Sequence, residues 1–200
     1  MKNLVEAAGM RRAHIRDGVA LCEFLSVLEK EVTSGVGNWS ELKIVEELAK
    51  YRQKQELNMG ESFSTIAAFA ENGALPHYSP TPATNKLIDT SALLTIDSGG
   101  QFLDGTIDVT RTLHFGTPDP LEVEVYTRLL MGCINLVTWI FPKGKTYEEL
   151  DPIIRGPLNE IGLDFGHGTT HGTGVYLSVH EGKSAHSNNR KSIGQTLLLS

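Results

Sequence analysis

Three histidines, His167, His171 and His180, lie close together in the glycine-rich stretch HGTTHGTGVYLSVHEG near the end of the chain. Imidazoles bind metals and transfer protons near neutral pH, so this density indicates a functional site. The glycines let the backbone pass close to a ligand, and they disfavour a stable helix. HxxxH spacing without a glutamate beside the first histidine is also unlike the helical zinc-protease motif. The pattern therefore favours three functional imidazoles in a non-helical segment.

Two aspartates lie in strand-like segments earlier in the chain. Asp97 ends the apolar run SALLTIDSGG, and Asp108 lies between Ile107 and Val109 in TIDVTRTLHF. If these two neighbours face one way, the two-residue period of a strand turns Asp108 to the opposite face. A buried carboxylate needs a partner because desolvating its charge is costly. Taken alone, each aspartate is explained as well by an ordinary role, as a turn residue or a partner of Arg111, as by a functional one.

The addition of His171 favours a metal site. Two carboxylates on neighbouring strands and an imidazole on a third segment form an oxygen-rich donor set, which suits Mn²⁺, or Co²⁺ and Zn²⁺. Several carboxylates can also bridge two ions. We therefore expect Asp97, Asp108 and His171 to be metal ligands. An ordinary core or surface role is expected for the histidines outside these segments, His14, His114 and His186.

Helical patterns come before the aspartate strands. Residues 4–32 have apolar positions at helical spacing, and a second helix is predicted to begin near Asn38 or Ser40. The apolar stripe predicted for the first helix consists of Ile15, Val19, Cys22, Leu25, Leu28 and Val32.

Two further helices are predicted after the strands. Thr117 and Pro118 form the expected start of the third, and Thr146 with Glu149 forms a capping box for the fourth. Two prolines should kink or shorten that fourth helix. The apolar stripe predicted for the third helix consists of Leu121, Val125, Leu129, Cys133, Leu136 and Ile140.

The residues between these helices, 62–115, read as an antiparallel meander. The dipeptide Asn72-Gly73 is the strongest short signal for a hairpin, and it places His77 at or near the end of the hairpin's second strand. Asp104-Gly105 predicts another tight turn. The fold class is therefore α+β, with an antiparallel sheet flanked by helices.

Composition excludes several classes of protein. The formal charge is −6 with both signs scattered, so no basic stripe suits nucleic acid and no polybasic run suits a membrane surface. No apolar run is long enough to span a bilayer, and the first residues do not resemble a signal peptide. Cys22 and Cys133 fall in helical patterns and are predicted to be buried thiols without a disulfide. These features favour a cytoplasmic protein.

Four stretches resemble one enzyme family. Asp97–Gly116, DSGGQFLDGTIDVTRTLHFG, resembles the metal-binding strands of the Xaa-Pro aminopeptidases, the aminopeptidase P group of M24-type pita-bread metallopeptidases. His167–Gly182 resembles the family's histidine segment, and Glu71–Pro80 its active-site histidine strand. Gly9–Val32 resembles the helix that opens the catalytic domain. The resemblance runs from about residue 3 to residue 182 and is greatest to the eukaryotic cytosolic, three-domain type.

The resemblance implies an incomplete pita-bread fold around two divalent metal ions. Asp97 would be a terminal ligand, Asp108 would bridge the two ions, and His171 would bind one of them. Mn²⁺ is the implied ion, with Zn²⁺ or Co²⁺ as alternatives.

The resemblance also implies a substrate and a reaction. His77 and His180 would hold the scissile carbonyl and transfer protons, and His167 would help to form the pocket for the penultimate proline. The substrate would be a peptide that begins Xaa-Pro, and the reaction the hydrolytic release of its first residue. Members of this family often pair, so a homodimer is among the implied assemblies.

The sequence departs from the family after the histidine segment. The family has two further ligands, both glutamates, and the first is expected beyond Ser200; Glu181 does not correspond to a ligand. We therefore expect residues 1–182 to be a partial catalytic domain and residues 183–200 to be a divergent, mobile tail. The family's N-terminal domains are likewise expected to lie outside this chain. The leading hypothesis is an Xaa-Pro aminopeptidase impaired by loss of the two glutamates, and the alternative is a non-catalytic fragment or protein-binding module.

Hydrogen exchange tests the boundary after residue 182. Residues 183–195 contain no periodic apolar pattern, so their amides should exchange nearly as fast as those of an unfolded peptide. Strong protection of these amides in a monomer would show instead that the tail forms strands of its own.

Overall fold

The computed structural model describes residues 2–142 and 145–181, so the predicted tail lies outside the described residues. The described part is α+β, with antiparallel strand pairs and helices, as predicted. Its helices are α1 (Leu4–Thr33), α2 (Glu41–Gln53), α3 (Pro120–Thr138) and α4 (Tyr147–Asn159). Its strands are β1 (Asn58–Glu61), β2 (Ile66–Phe69), β3 (Leu93–Ser98), β4 (Gly100–Phe102), β5 (Gly105–Thr106) and β6 (Val109–His114).

The chain divides into two compact units. The larger unit contains Lys2–Pro118 together with Gly174–Val179, and the smaller unit contains Asp119–Thr173 and continues from His180. Within the described residues, no helix is both long and apolar enough to cross a bilayer.

Helix α1 has the predicted bounds but buries a different face. Its start is fixed by a capping box, in which Asn3 Oδ1 accepts hydrogen bonds from the amides of Val5 and Glu6, both at 2.9 Å. The predicted stripe is wrong in part, because Ile15, Val19 and Cys22 are exposed. The buried face instead consists of Gly9, Met10, Ala13, Asp17, Ala20, Leu21, Phe24, Leu28 and Val32.

Close packing explains this choice of face. A Cβ added at Gly105 would stand 2.6 Å from the Cβ of Ala13, and one at Gly9 would meet the carbonyl oxygen of Asp104. The turn and strand at residues 104–105 therefore approach the helix so closely that only small side chains fit. Periodicity gives most weight to large apolar residues, so it misses a contact surface made of small ones.

The strands form two sheets rather than the single predicted meander. One sheet has the order β1-β4-β5 and the other β2-β3-β6, with every pairing antiparallel. The change of sheet occurs at Gly99, where the backbone passes so close to the carbonyl oxygen of Ile107 that a Cβ would overlap it. Helices α1 and α2 cover the second sheet with a core that includes Phe24, Leu48 and Ile96.

The predicted hairpin at Asn72-Gly73 is wrong. Ala70–Ala74 form a short 3₁₀-helix, and His77 lies exposed in the turn that follows. Asn72 cannot serve as a free turn residue, because its Nδ2 donates to Oε1 of the fully buried Glu41 at 2.9 Å. The same carboxylate also accepts from the amide of Phe69 at 2.8 Å and from the Tyr78 hydroxyl at 2.7 Å.

Helices α3 and α4 pack together within the smaller unit. Helix α3 begins two residues later than predicted, because Asp119 rather than Thr117 forms the capping box. Glu149 accepts a hydrogen bond from the Thr146 amide at 2.8 Å, which confirms the predicted start of α4. Helix α4 contains both predicted prolines within its 13 residues.

The apolar stripe predicted for α3 is only partly buried. Leu136 is fully buried, whereas Leu121 and Ile140 are exposed. Cys133 is half-buried, and this burial raises the pKa of its thiol.

The hydrogen bond from the Tyr78 hydroxyl to Glu41 can be tested through its effect on stability. Burial raises the pKa of Tyr78, so its phenol stays protonated and donates to the carboxylate. Tyr78→Phe removes that donor from a buried charge and should lower the free energy of unfolding by about 1–3 kcal/mol. Urea unfolding measures the loss, with the half-exposed Tyr126→Phe as the matched control. An equal effect of the two substitutions would contradict the assigned role of the hydroxyl.

Candidate metal centre and histidine segment

One face of the β2-β3-β6 sheet carries Asp97. Along β3 the burial alternates, so that Leu94, Ile96 and Ser98 face the core and Asp97 faces the other way. Asp97 pairs with Thr110 of β6 across the sheet. Directly paired residues share a face, so Thr110 lies on the same face as Asp97.

Asp108 lies on that face as well. Its neighbours Ile107 and Val109 both pack in the small core cluster around Phe102, which turns the intervening side chain away from the core. Asp108 is only 7% exposed, so its carboxylate is held in a place of low water access. This burial agrees with the prediction that Asp108 points away from its two neighbours. Asp108 lies directly before β6, and in extended backbone its side chain points to the same side as that of Thr110, two residues later, and so to the side of Asp97.

This pair of carboxylates fits a divalent ion. Carboxylate oxygens are the ligands that hard divalent ions prefer, and two of them on one sheet face supply a charge of −2. The backbone next to each aspartate is hydrogen-bonded. Ser98 pairs with Val109 of β6, and the Ile107 amide donates to the Gly100 carbonyl, so the backbone that carries the two side chains is fixed.

His171 and His180 lie together in the smaller unit. Their ring centroids are 4.1 Å apart, and the backbone between them closes where the amide of Glu181 donates to the carbonyl of Gly172 at 2.7 Å. His171 Nδ1 is 3.1 Å from the Gly172 carbonyl oxygen, which can only accept. A hydrogen bond here uses Nδ1 as the donor, which assigns Nε2 as the ring nitrogen that would bind a metal.

The turn between these histidines is strained. Leu177 and Ser178 have φ angles of 56° and 60°, which are uncommon for residues with a side chain. The segment Gly174–Val179 belongs to the larger unit, where the Leu177 amide donates to Oε1 of Gln101 at 3.2 Å. No helix forms between residues 164 and 181, as the glycine content predicted.

His167 lies at an apolar cavity of the smaller unit. Its ring centroid is 4.7 Å from that of Phe165, and its Nδ1 hydrogen-bonds the Gly168 carbonyl at 2.9 Å. The cavity has a volume of about 300 Å³. It is lined by His167, one acidic residue and five apolar residues, namely Asp164, Val125, Leu129, Leu158, Leu163 and Phe165.

Sequence reasoning missed the residue that holds this cavity wall, Arg155. Its guanidinium donates to the carbonyls of Phe165 at 2.6 Å and His167 at 2.7 Å and lies over the Phe165 ring. It also pairs with Asp164 at 2.8 Å, which lowers the pKa of that carboxyl group. The sequence signal was present as Asp151 four residues before Arg155 on α4, but only the ion pair between them could be read from it.

His77 lies in a turn and not at the end of a strand. It is exposed in the turn Leu75–Tyr78 of the larger unit, where the Tyr78 amide donates to the Leu75 carbonyl at 3.0 Å. Its buried neighbour Tyr78 fixes that turn through the bond to Glu41.

Comparisons with known proteins agree on one family. The family model for metallopeptidase family M24 matches residues 8–197. A protein of Aspergillus flavus named "Probable Xaa-Pro aminopeptidase P" is 47% identical over 91% of this chain, and the chain spans 28% of its length.

Solved structures give the same result. An X-prolyl aminopeptidase from Caenorhabditis elegans, described as a cytosolic enzyme with a di-nuclear active site, is 39% identical with a TM-score of 0.90 over 95% of this chain and 31% of its own. The X-Pro aminopeptidase of Thermotoga maritima is 26% identical with a TM-score of 0.78, over 96% of this chain and 51% of its own.

Replacement of Arg155 tests the support of the His167 loop. Arg155→Gln removes a charged donor from two carbonyls, so the amides of residues 165–169 should exchange about tenfold faster. Arg128→Gln is the matched control, since that guanidinium bonds Glu124 at 3.0 Å and the Pro157 carbonyl but not the loop. Equal exchange rates in both variants would contradict the role of Arg155.

Proposed function

We propose, because this chain belongs to metallopeptidase family M24, that it supplies the metal-binding strands and the histidine segment of an aminopeptidase that releases the first residue of Xaa-Pro peptides. The observation that carries the proposal is that Asp97 on β3 and Asp108, directly before the partner strand β6, both point away from the packed core. Support also comes from the similarity to the A. flavus and C. elegans aminopeptidases.

The proposed metal ligands are Asp97, Asp108 and His171. The first two supply anionic oxygens and the third an imidazole nitrogen, a donor set for two divalent ions, with Mn²⁺ preferred to Zn²⁺ or Co²⁺. Such ions polarise a carbonyl group and lower the pKa of water. Asp108 would hold both ions, the role that the family resemblance implies for it, and its carboxylate is buried.

The histidines are proposed to act on the peptide. His77 and His180 would donate hydrogen bonds to the scissile carbonyl oxygen and pass a proton to the proline nitrogen as it leaves. Proline has no amide proton, so a peptidase that requires that donor loses this substrate, whereas a pocket shaped for the ring selects it. The apolar cavity beside His167, at about 300 Å³, supports the assignment of that histidine to the proline pocket.

The cellular setting belongs to the same proposal. The C. elegans relative is described as cytosolic, and both cysteines of this chain are free thiols, which supports a cytoplasmic location. A homodimer is the assembly that the family resemblance implies.

A second function, a non-catalytic module that binds a partner protein, is favoured by one observation. Helix α3 exposes several large apolar side chains, among them Leu121, Val137 and Tyr126. A module of this kind would keep its partner when Asp108 is replaced, whereas the aminopeptidase would lose both metal and activity.

Calorimetric titration with Mn²⁺ tests the proposed function. Asp108→Asn keeps the shape of the side chain but removes its charge, so the affinity for Mn²⁺ should fall by about 100-fold or more. The rate at which the chain releases the first residue of an Xaa-Pro tripeptide should decrease together with this affinity.

The control for this titration is Asp89→Asn. Asp89 is an exposed aspartate whose carboxylate accepts from the Ser91 amide and hydroxyl. Its replacement should leave the affinity unchanged, and equal affinities for the wild type and Asp108→Asn would overturn the metal assignment.

A further inference from the structure

We propose that the buried ion pair between Asp17 and Arg52 fixes the relative position of Asp97 and Asp108 as metal ligands, an inference that rests on the function proposed above. None of the four residues is close to another in sequence. The ion pair joins α1 to α2, and its hydrogen bonds continue to the Ser98 hydroxyl beside Asp97 and to the backbone that leads to Asp108.

The ion pair itself is rigid and dry. Arg52 Nε donates to Asp17 Oδ1 at 2.8 Å, and Arg52 Nη2 donates to Asp17 Oδ2 at 2.9 Å. Both side chains are 1% exposed. Two parallel bonds between a planar guanidinium and a carboxylate fix the orientation of both groups, which a single bond would leave free to rotate.

One arm of the network reaches Asp97. Arg52 Nη2 also donates to Oγ of Ser98 at 3.1 Å, and Ser98 is fully buried at the end of β3. Ser98 follows Asp97 directly, so the position of its hydroxyl sets the direction in which β3 ends. A shift of the guanidinium therefore moves the residue that is covalently joined to the first proposed ligand.

The other arm reaches Asp108. Asp17 Oδ1 accepts from the Gly100 amide at 2.9 Å, and the Gly100 carbonyl accepts from the Ile107 amide at 3.0 Å. Ile107 precedes Asp108 directly. Its carbonyl is held from the other side by the hydroxyl of Ser62 at 2.6 Å. Two hydrogen bonds thus connect the segment of the second ligand to the Asp17 carboxylate, one made by the Gly100 amide and one by the Gly100 carbonyl.

The glycines make this arrangement depend on Asp17. A Cβ at Gly100 would stand 2.7 Å from Asp17 Oδ1, so the backbone lies against the carboxylate without a side chain between them. Apolar residues of similar volume could fill the space of the ion pair, and a buried pair is weak evidence for stability. They could not hold Ser98 and Gly100 by directed bonds, which is the property that two ligand-bearing segments require.

The charge balance also suits a metal site. A lone buried cation beside two aspartates would compete with a divalent ion for their oxygens. The carboxylate of Asp17 neutralises Arg52 with both oxygens, so the network orders the two segments without adding net charge beside them.

Two variants test the proposal in the 200-residue chain. Ser98→Ala removes one bond and keeps the ion pair, and Arg52→Lys keeps the charge but loses the paired geometry. Each should weaken Mn²⁺ binding, measured by calorimetry, by about tenfold or more, which is the range seen when outer groups that orient metal ligands are lost. Ser98→Ala guards against unfolding, because it leaves both hydrogen bonds between Arg52 and Asp17 in place.

A matched control separates positioning from stability. Asp104→Asn disrupts another ion pair between α1 and the β4–β5 hairpin, in which Asp104 bonds Arg16 and not the Asp17–Arg52 network. It should lower the midpoint of thermal unfolding and leave the affinity of the folded chain for Mn²⁺ unchanged.

The spectrum of bound Co²⁺ supplies a readout that stability alone does not move. Visible absorption per bound Co²⁺ reports the ligand geometry, so the bands should shift in Arg52→Lys and Ser98→Ala and stay at wild-type positions in Asp104→Asn. If Asp108→Asn weakens Mn²⁺ binding but folded Ser98→Ala and Arg52→Lys bind with wild-type affinity and spectrum, positioning by the ion pair is overturned and the proposed function stands. If Asp108→Asn binds like the wild type, the proposed function itself fails.

Discussion

The larger unit depends on the hydrogen bonds that surround its buried charged side chains. Asp17, Arg52 and Glu41 are each 1% exposed or less, and a charge in such a place is tolerated only when fixed donors or acceptors surround it. Asp17 and Arg52 form two hydrogen bonds with each other, and the pair also bonds the Ser98 hydroxyl at the end of β3 and the Gly100 amide at the start of β4. The Glu41 carboxylate accepts hydrogen bonds from Phe69 at the end of β2 and from Asn72 and Tyr78 in the segment that follows. Two helices and two sheets are thereby held by directed bonds as well as by apolar packing.

Small residues make these bonds geometrically attainable. Gly99 and Gly100 let the chain leave one sheet and enter the other while it touches Ile107 and Asp17. Gly9 and Ala13 let the β4–β5 hairpin approach α1. The aspartates proposed as ligands lie immediately beside this closely packed corner, so the scaffold and the site share the same backbone atoms. A substitution at Gly99 or Gly100 should therefore change metal binding and stability together.

The parts of the fold that depend on local signals could be predicted from the sequence. The bounds of α1 and the capping box of α4 follow from residues within a few positions of each other. The alternation around Asp108 predicted its direction correctly, because apolar neighbours in a strand carry that information locally. The site residues themselves came from motif order and family resemblance, since no local rule relates a strand to a distant histidine segment.

The failures came from long-range partners. Asn72-Gly73 has every local sign of a hairpin, but Asn72 bonds a glutamate 31 residues earlier. Asp17 lies on the buried face of α1, where periodicity treats a charge as an error, and its partner is 35 residues away. Arg155 could not be recognised as the support of His167, because the bonds run to backbone carbonyls that a sequence does not display.

Paramagnetic broadening by Mn²⁺ tests the central claim, that Asp97 and Asp108 bind divalent metal together, most directly. Substoichiometric Mn²⁺ broadens the amide signals nearest the ion, and the loss falls steeply with distance. We predict that the amides of Asp97 and Asp108 lose intensity first and to a similar extent, and before those of the half-buried Glu122 and the exposed Glu124 on α3. Broadening that begins at α3, or at one of the two aspartates while the other is unaffected, would contradict a shared site.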